Sequence, residues 1–206
     1  HAVENILIPF YLDDKIAGVG GNVKIREADT IAAKLQAIEY LKTISTGRIV
    51  TSYLGIYRII SGAFGAFKMD ALQQVGGWDI GPGLDGDITV KLRKSGYRIY
   101  FEPKAVCLTT GPKTFQALWK QRSRWSRSIV RFRVRKHRDV LMPHQGFKWI
   151  NFLSFVENLF YNLFLDFKWI VYFFDVAIHY ARFLELILPF NMILYVITGY
   201  IQMITI

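Results

Sequence analysis

Apolar residues recur at helical spacing over residues 1–12, at Val3, Ile6, Leu7 and Phe10, and Asp13-Asp14 closes that segment. Residues 15–25 then alternate around Ile16, Val19, Val23 and Ile25, with glycines at 18, 20 and 21. This pattern predicts a buried strand whose backbone something approaches closely. From 30 to about 50, Ile31, Leu35, Ile38, Leu41 and Ile44 mark one amphipathic helix, which can pack on a sheet or lie on a membrane without performing any chemistry. Residues 58–68 read as a strand ending in the turn Ser61-Gly62-Ala63-Phe64-Gly65. Residues 69–75 read as a short helix stopped by Gly76-Gly77, and 78–83 as a loop containing Pro82.

A helix is predicted over 86–95, with Ile88 and Leu92 on one face, Lys91, Arg93 and Lys94 in its last turn, and Gly96 as its C-terminal stop. Residues 97–108 return as a strand, and Gly111-Pro112 introduces a long helix carrying Gln121 to Trp125. Alternation of helices and strands on this scale predicts an α/β sheet with helices packed on it. The last third differs. Residues 186–206 contain no charged side chain in 21 positions, enough for a membrane-spanning helix in spite of Pro189. Residues 149–180 are also strongly apolar but are interrupted by Glu157, Asp166, Lys168 and Asp175. They read as an interfacial helix leading into a second span.

Composition sharpens that division. Apolar residues make up 52% of the 206 positions and are concentrated after Lys148, which separates a soluble-like part from a membrane part. The net charge of +10 is uneven, because residues 120–138 hold nine Lys or Arg and no Asp or Glu. Such a block favours nucleotide phosphates, lipid headgroups or nucleic acid, and the positive-inside rule puts it on the cytoplasmic side. Nucleic acid is the weakest of these partners, since the basic helix runs directly into apolar segments. Cys107 is the only cysteine, so there is neither a disulfide framework nor a cysteine-based zinc site, in keeping with a reducing cytosol. His1 follows no methionine or signal-peptide pattern, and the chain reads as a fragment or as one whose numbering begins internally.

The candidate chemistry lies between Ser61 and Trp125. Asp85 and Asp87 fall at the start of a helix, where either can simply cap it. A carboxylate placed after a glycine-rich loop can instead act as general base toward an acceptor hydroxyl, and both roles fit if Asp87 caps and Asp85 faces the pocket. Asp85-Gly86-Asp87 is not a metal-binding Asp-X-Asp by context, because Gly81-Pro82-Gly83 is no buried apolar strand. Gln121, Arg124 and Trp125 are spaced i, i+3 and i+4 and share a helix face. Glutamine and arginine can donate to diphosphate oxygens and an indole offers a flat surface to a sugar ring, although Trp125 serves equally as a core aromatic and the arginines as surface charge.

The series Ser61-Gly62-Ala63, Gly76-Gly77, Asp85, Gly96-Tyr97, Pro103 and Gln121-Arg122-Ser123-Arg124-Trp125, followed by apolar segments, resembles the processive family 2 glycosyltransferases of the cellulose, hyaluronan and poly-N-acetylglucosamine synthase type. The resemblance implies the second half of a GT-A domain over residues 1–140 and interfacial and transmembrane helices over 141–206. It implies an integral membrane protein with a cytosolic catalytic part that transfers sugar from a nucleotide-sugar donor, a UDP-sugar, to a growing polysaccharide with inversion. Asp85 matches the base of the family's Thr-Glu-Asp motif. Gln121, Arg122, Arg124 and Trp125, with Ser61 and Gly62, match donor- and acceptor-binding positions. Leu84 stands where the family has an acidic residue. Metal ligands for Mg2+ or Mn2+ are expected upstream of His1 and none within this chain. Two other functions remain open on the residues alone: a single-sugar lipid glycosyltransferase, and a catalytically inactive basic protein that binds anionic membranes.

Overall fold

A computed structural model describes residues 1–81, 83–129, 131, 135–141, 148–159, 174, 178, 189, 190, 192 and 193. The chain divides into two compact units, His1–Ser154 and Phe155–Ile206. In the first, α1 (Ala2–Leu12) leads into β1 (Ile16–Ile25). There follow α2 (Ile31–Tyr40), a π-helical turn (Leu41–Thr46), α3 (Gly47–Tyr53), β2 (Gly65–Phe67), α4 (Met69–Gln74), α5 (Leu84–Lys94), β3 (Arg98–Thr109), α6 (Phe115–Ile129), a 3-10 turn (Arg138–Leu141) and the start of α7 (Trp149–Leu159). The fold is a mixed α/β one with a small sheet, as the alternating pattern predicts.

The sheet has the order β2-β1-β3, with β1 antiparallel to β2 and parallel to β3. Ile6 of α1 packs with Ile16, Val19 and Ala105 in one core cluster. A second cluster joins Ala17, Ile99 and Phe101 of the sheet to Tyr57, Ile60, Ala71 and Leu72 and to Ile88 and Leu92 of α5. The glycines of β1 are where the close approach occurs. A Cβ at Gly20 would lie 2.0 Å from the Tyr57 hydroxyl, and one at Gly21 would lie 2.1 Å from the Phe64 ring. The β1–β3 register slips after Gly21, which faces Glu102 while Asn22 faces Val106. Asn22, buried at the slip, donates to the Pro103 carbonyl at 3.3 Å and accepts from Ser45 Oγ at 2.8 Å.

Several boundaries follow from local chemistry. Thr30 Oγ1 caps α2 by accepting from Ala33 N at 3.2 Å. α4 and α5 end in the same way, each with a glycine at positive φ (Gly76 at 76°, Gly96 at 93°). In each, the amide two residues past the C-cap reaches back five residues, Gly77 N to Leu72 O at 2.8 Å and Tyr97 N to Leu92 O at 3.1 Å. These are Schellman motifs, and Gly96 is the stop its sequence position implies.

Three expectations need correction. The single helix over 30–50 is interrupted by the π-helical turn, where Thr46 Oγ1 bonds back to Leu41 O at 3.3 Å. The strand expected over 58–68 shrinks to Gly65–Phe67, and the Ser61–Gly65 turn precedes it. The helix cap is neither Asp85 nor Asp87: Gly83, at φ 88°, stands there without any side-chain hydrogen bond, and both acids lie within the first turns of α5.

The start of α7 is held to α5 by Arg93. This buried guanidinium donates to Tyr57 O (3.0 Å), Ser154 Oγ (2.9 Å) and Ile150 O (3.0 Å), and burial lowers its pKa to about 10. In the second unit, the described residues Phe174, Ile178, Phe190, Met192 and Ile193 are helical and exposed. Among the described residues no helix is long and apolar enough to cross a membrane. Most of the expected span over 186–206 and most of the apolar stretch 149–180 lie outside them.

Candidate active site

The first turn of α5 presents Asp85, half-buried, against the turn that starts at Ser61. A Cβ placed on Gly62 would lie 3.7 Å from the Asp85 Cβ, so the bare glycine backbone faces the acid at contact distance. The turn is closed by Phe64 N donating to Ser61 O at 3.1 Å and Ala63 N to Ser61 Oγ at 3.4 Å. Thr89, fully buried one helical turn beyond Asp85, joins the two pieces. Its hydroxyl donates to Asp85 O at 2.6 Å and accepts from Ile60 N at 3.1 Å. The Asp85 carboxylate accepts from Gly86 N at 2.9 Å and has no ion pair among the described residues. It therefore retains acceptor capacity toward an incoming hydroxyl.

Asp87, two residues on, is engaged quite differently. It is buried and accepts from His137 Nε2 at 2.7 Å and Lys136 Nζ at 2.7 Å, with Lys91 Nζ at 3.6 Å. Lys94 Nζ lies 3.3 Å from His137 Nδ1, which assigns the neutral ring with Nδ1 accepting and Nε2 donating. Burial, aided by the Lys94 and Lys136 charges, lowers the His137 pKa against the opposing pull of Asp87. Burial works against the charge of Lys136, yet its bonds to Asp79 and Asp87 prevail and raise its pKa. Asp79, hydrogen-bonded by Lys136 and Lys91, is brought down to about 2.

On α6, Gln121 accepts from Gln36 Nε2 at 2.7 Å, and Arg122 pairs with Glu39 of α2. The Arg122 guanidinium also lies over the Trp125 ring, 4.4 Å from its centroid. Trp125 packs, like Phe64 of the Ser61–Gly65 turn, on the cluster of Val23, Tyr40 and Ile44. Arg124 is exposed, with no hydrogen bond or ion pair among the described residues. The structure thus brings Ser61 and Gly62 beside Asp85 and Arg122 beside Trp125, and the Ser61–Gly65 turn and Trp125 share one apolar cluster through Phe64. No hydrogen bond or ion pair among the described residues joins Asp85 to residues 121–125.

The sequence reading missed Thr89, Lys136 and His137, and it saw in Asp87 only a cap. The one available signal was the i, i+4 spacing of Asp87 and Lys91. The basic block is also less free than its composition implies, since Arg122, Arg131 and Lys136 each bind an acidic side chain or a carbonyl of the first unit.

Among the described residues no group of three or more His, Cys, Asp or Glu could hold a metal ion. The neighbouring acids Asp79 and Asp87 are already taken by Lys91, Lys136 and His137. The described residues do not fit a divalent-metal centre.

The structure is a mixed α/β unit that sets one carboxylate beside a glycine turn. The chain belongs to glycosyl transferase family group 2, whose model matches residues 2–205. It is similar to the poly-beta-1,6-N-acetyl-D-glucosamine synthases of Staphylococcus aureus and Staphylococcus epidermidis, 40% identical to each over 126 residues. Each alignment covers 57% of this chain and 30% of the relative, so the chain spans about a third of the length of those synthases. The resemblance to the polymer-synthase type of family 2 is borne out.

Proposed function

We propose that this chain forms the acceptor-side part of an inverting glycosyltransferase that moves a sugar from a UDP-sugar to a growing polysaccharide. N-acetylglucosamine, the sugar in the relatives' name, is the first donor sugar to try. Residues 1–140 are the second half of a GT-A domain. Residues 141–206 are the membrane-associated part of an integral membrane protein with its catalytic part in the cytosol. The observation that carries this reading is Asp85: a half-buried carboxylate without an ion pair among the described residues, set against Gly62, at the position matching the family's base.

In this reading an acceptor hydroxyl reaches the solvent-facing side of the Asp85 carboxylate beside the Ser61–Gly62 turn. As its oxygen attacks C1 of the donor sugar, its proton passes to an Asp85 carboxylate oxygen, and the C1–O bond breaks with its electron pair leaving on the nucleoside diphosphate. Attack opposite the leaving group inverts the anomeric centre. Arg124, exposed and without a hydrogen bond or ion pair among the described residues, is suited to a phosphate oxygen, and Gln121 and Trp125, with Arg122 stacked on the indole, line the acceptor path.

The test is product analysis with the full-length protein in membranes, supplied with labelled UDP-N-acetylglucosamine. Long polymer supports the reading. A single labelled glycolipid would make the protein a lipid glycosyltransferase. No incorporation from any nucleotide sugar, with salt-sensitive binding to anionic vesicles, would make it a non-catalytic basic membrane protein. Arg124→Ala is expected to leave thermal stability unchanged and to raise the donor KM about tenfold, the scale of one lost charge-assisted hydrogen bond.

A further inference from the structure

The first turn of α5 has little rigidity of its own. Gly83 supplies no side-chain cap, and the sequence Gly83-Leu84-Asp85-Gly86-Asp87 places a conformationally free glycine on either side of Asp85. A base for proton transfer nevertheless has to be held in one orientation. Thr89 and Lys91 of α5 itself bond to Asp85 O, Gly77 O and Asp79, and a second set of ties comes from outside the helix, from the segment after α6. Arg131 Nη2 donates to Ile80 O at 2.7 Å, and its guanidinium fills the space that a side chain at Gly81 would need. Lys136 bridges Asp79 in the loop and Asp87 in the helix. His137 Nε2 donates to Asp87 Oδ1 at 2.7 Å, and Lys94 on α5 pairs with Asp139. The strap thus binds both the loop before Asp85 and the helical turn after it, and it continues from the helix that carries Gln121 to Trp125.

We propose that Asp87 is a positioning residue: gripped by Lys136 and His137, it fixes the first turn of α5 so that Asp85 is presented in one orientation and tied to the end of α6. This rests on Asp85 being the base of the proposed transfer. Asp87 itself is only 4% exposed and takes its partners on both oxygens, so it acts through Asp85 and not on substrate.

The full-length enzyme is tested as Asp85→Asn, Asp87→Asn, Lys136→Ala, Lys136→Arg and the double variant Asp87→Asn/Lys136→Ala, with kcat, KM and the folded fraction measured for each. Lys136 is partly exposed, its side chain at 37%, so its truncation is expected to keep the fold, which the folded fraction checks. Asp87→Asn and Lys136→Ala are each expected to lower kcat per folded molecule roughly tenfold or more, with KM for donor and acceptor within about twofold, because a misplaced catalytic group costs rate and not ground-state binding. Lys136→Arg is expected to recover most of the rate, and the double variant to be no slower than Asp87→Asn alone. Wild-type kcat in Asp87→Asn and Lys136→Ala beside an inactive Asp85→Asn would overturn the positioning role and leave the base standing. Losses that only track the folded fraction would overturn it equally. An active Asp85→Asn would remove the base, and the positioning role with it.

Discussion

Gly20 is bare because Tyr57 needs the room. The Tyr57 hydroxyl is buried against the β1 backbone and has no hydrogen-bond partner among the described residues, while the Arg48 guanidinium lies over the ring, 6.0 Å from its centroid. Burial is the main reason that the Tyr57 pKa is raised, and the nearby Asp85 charge adds to it. Gly20→Ala is expected to destabilise the protein by about 1–3 kcal/mol through overpacking. Adding Tyr57→Phe, which removes the clashing oxygen, is expected to recover part of that loss, and denaturant titration of the two variants checks both statements. The sequence pointed to a close approach at these glycines but could not name the partner, because Tyr57 arrives from a loop 37 positions along the chain.

At the level of elements, α5 is the piece whose termini matter. Its C-terminal stop was legible, since glycine after a basic last turn has one common use. Its start was not, because an Asp near a helix N-terminus is so often a cap that the pattern hides a buried ion network. Side-chain partners drawn from 50 residues away leave no periodicity to read, and His137 carries no local signal at all. Thr89 was hidden for the same reason. Its hydroxyl links the Asp85 turn to Ile60, and Thr89→Val keeps the shape but leaves the buried Ile60 amide unpaired. That variant is expected to lose about 1–3 kcal/mol of stability, measured by denaturant unfolding. The π-helical turn after Tyr40 was likewise invisible, because helical apolar spacing continues through it.

Across the first unit, the strap after α6 makes stability depend on pH. His137 is faced by Asp87 and Lys94 of α5 and by Lys136 and Asp139 of its own segment, and burial holds its pKa below the usual 6.5. The unfolded chain therefore binds the proton first as pH falls. Stability is full above about 6.5 and declines below it until the folded-state value is passed. Thermal unfolding of the full-length protein at pH 7.5 and 5.5 is expected to show this decline, and His137→Gln, which has no such proton to take up, is expected to flatten it.

The same unit also shows why the two halves of the motif series look different in three dimensions. Ser61, Gly62 and Asp85 converge by sheet and helix packing, whereas Gln121 and Arg122 are bound to Gln36 and Glu39 of α2. The order of the motifs identified the family, but only the fold shows that the carboxylate and the Gln-Arg-Trp helix are joined through the basic strap and through no direct bond among the described residues. The central claim is that Asp85 takes the acceptor proton, and it is tested most directly by turnover of the full-length Asp85→Asn variant. A fall in kcat of about 10²–10⁴-fold, with donor KM little changed and thermal stability preserved, is the expected result; turnover within a few-fold of wild type would contradict it.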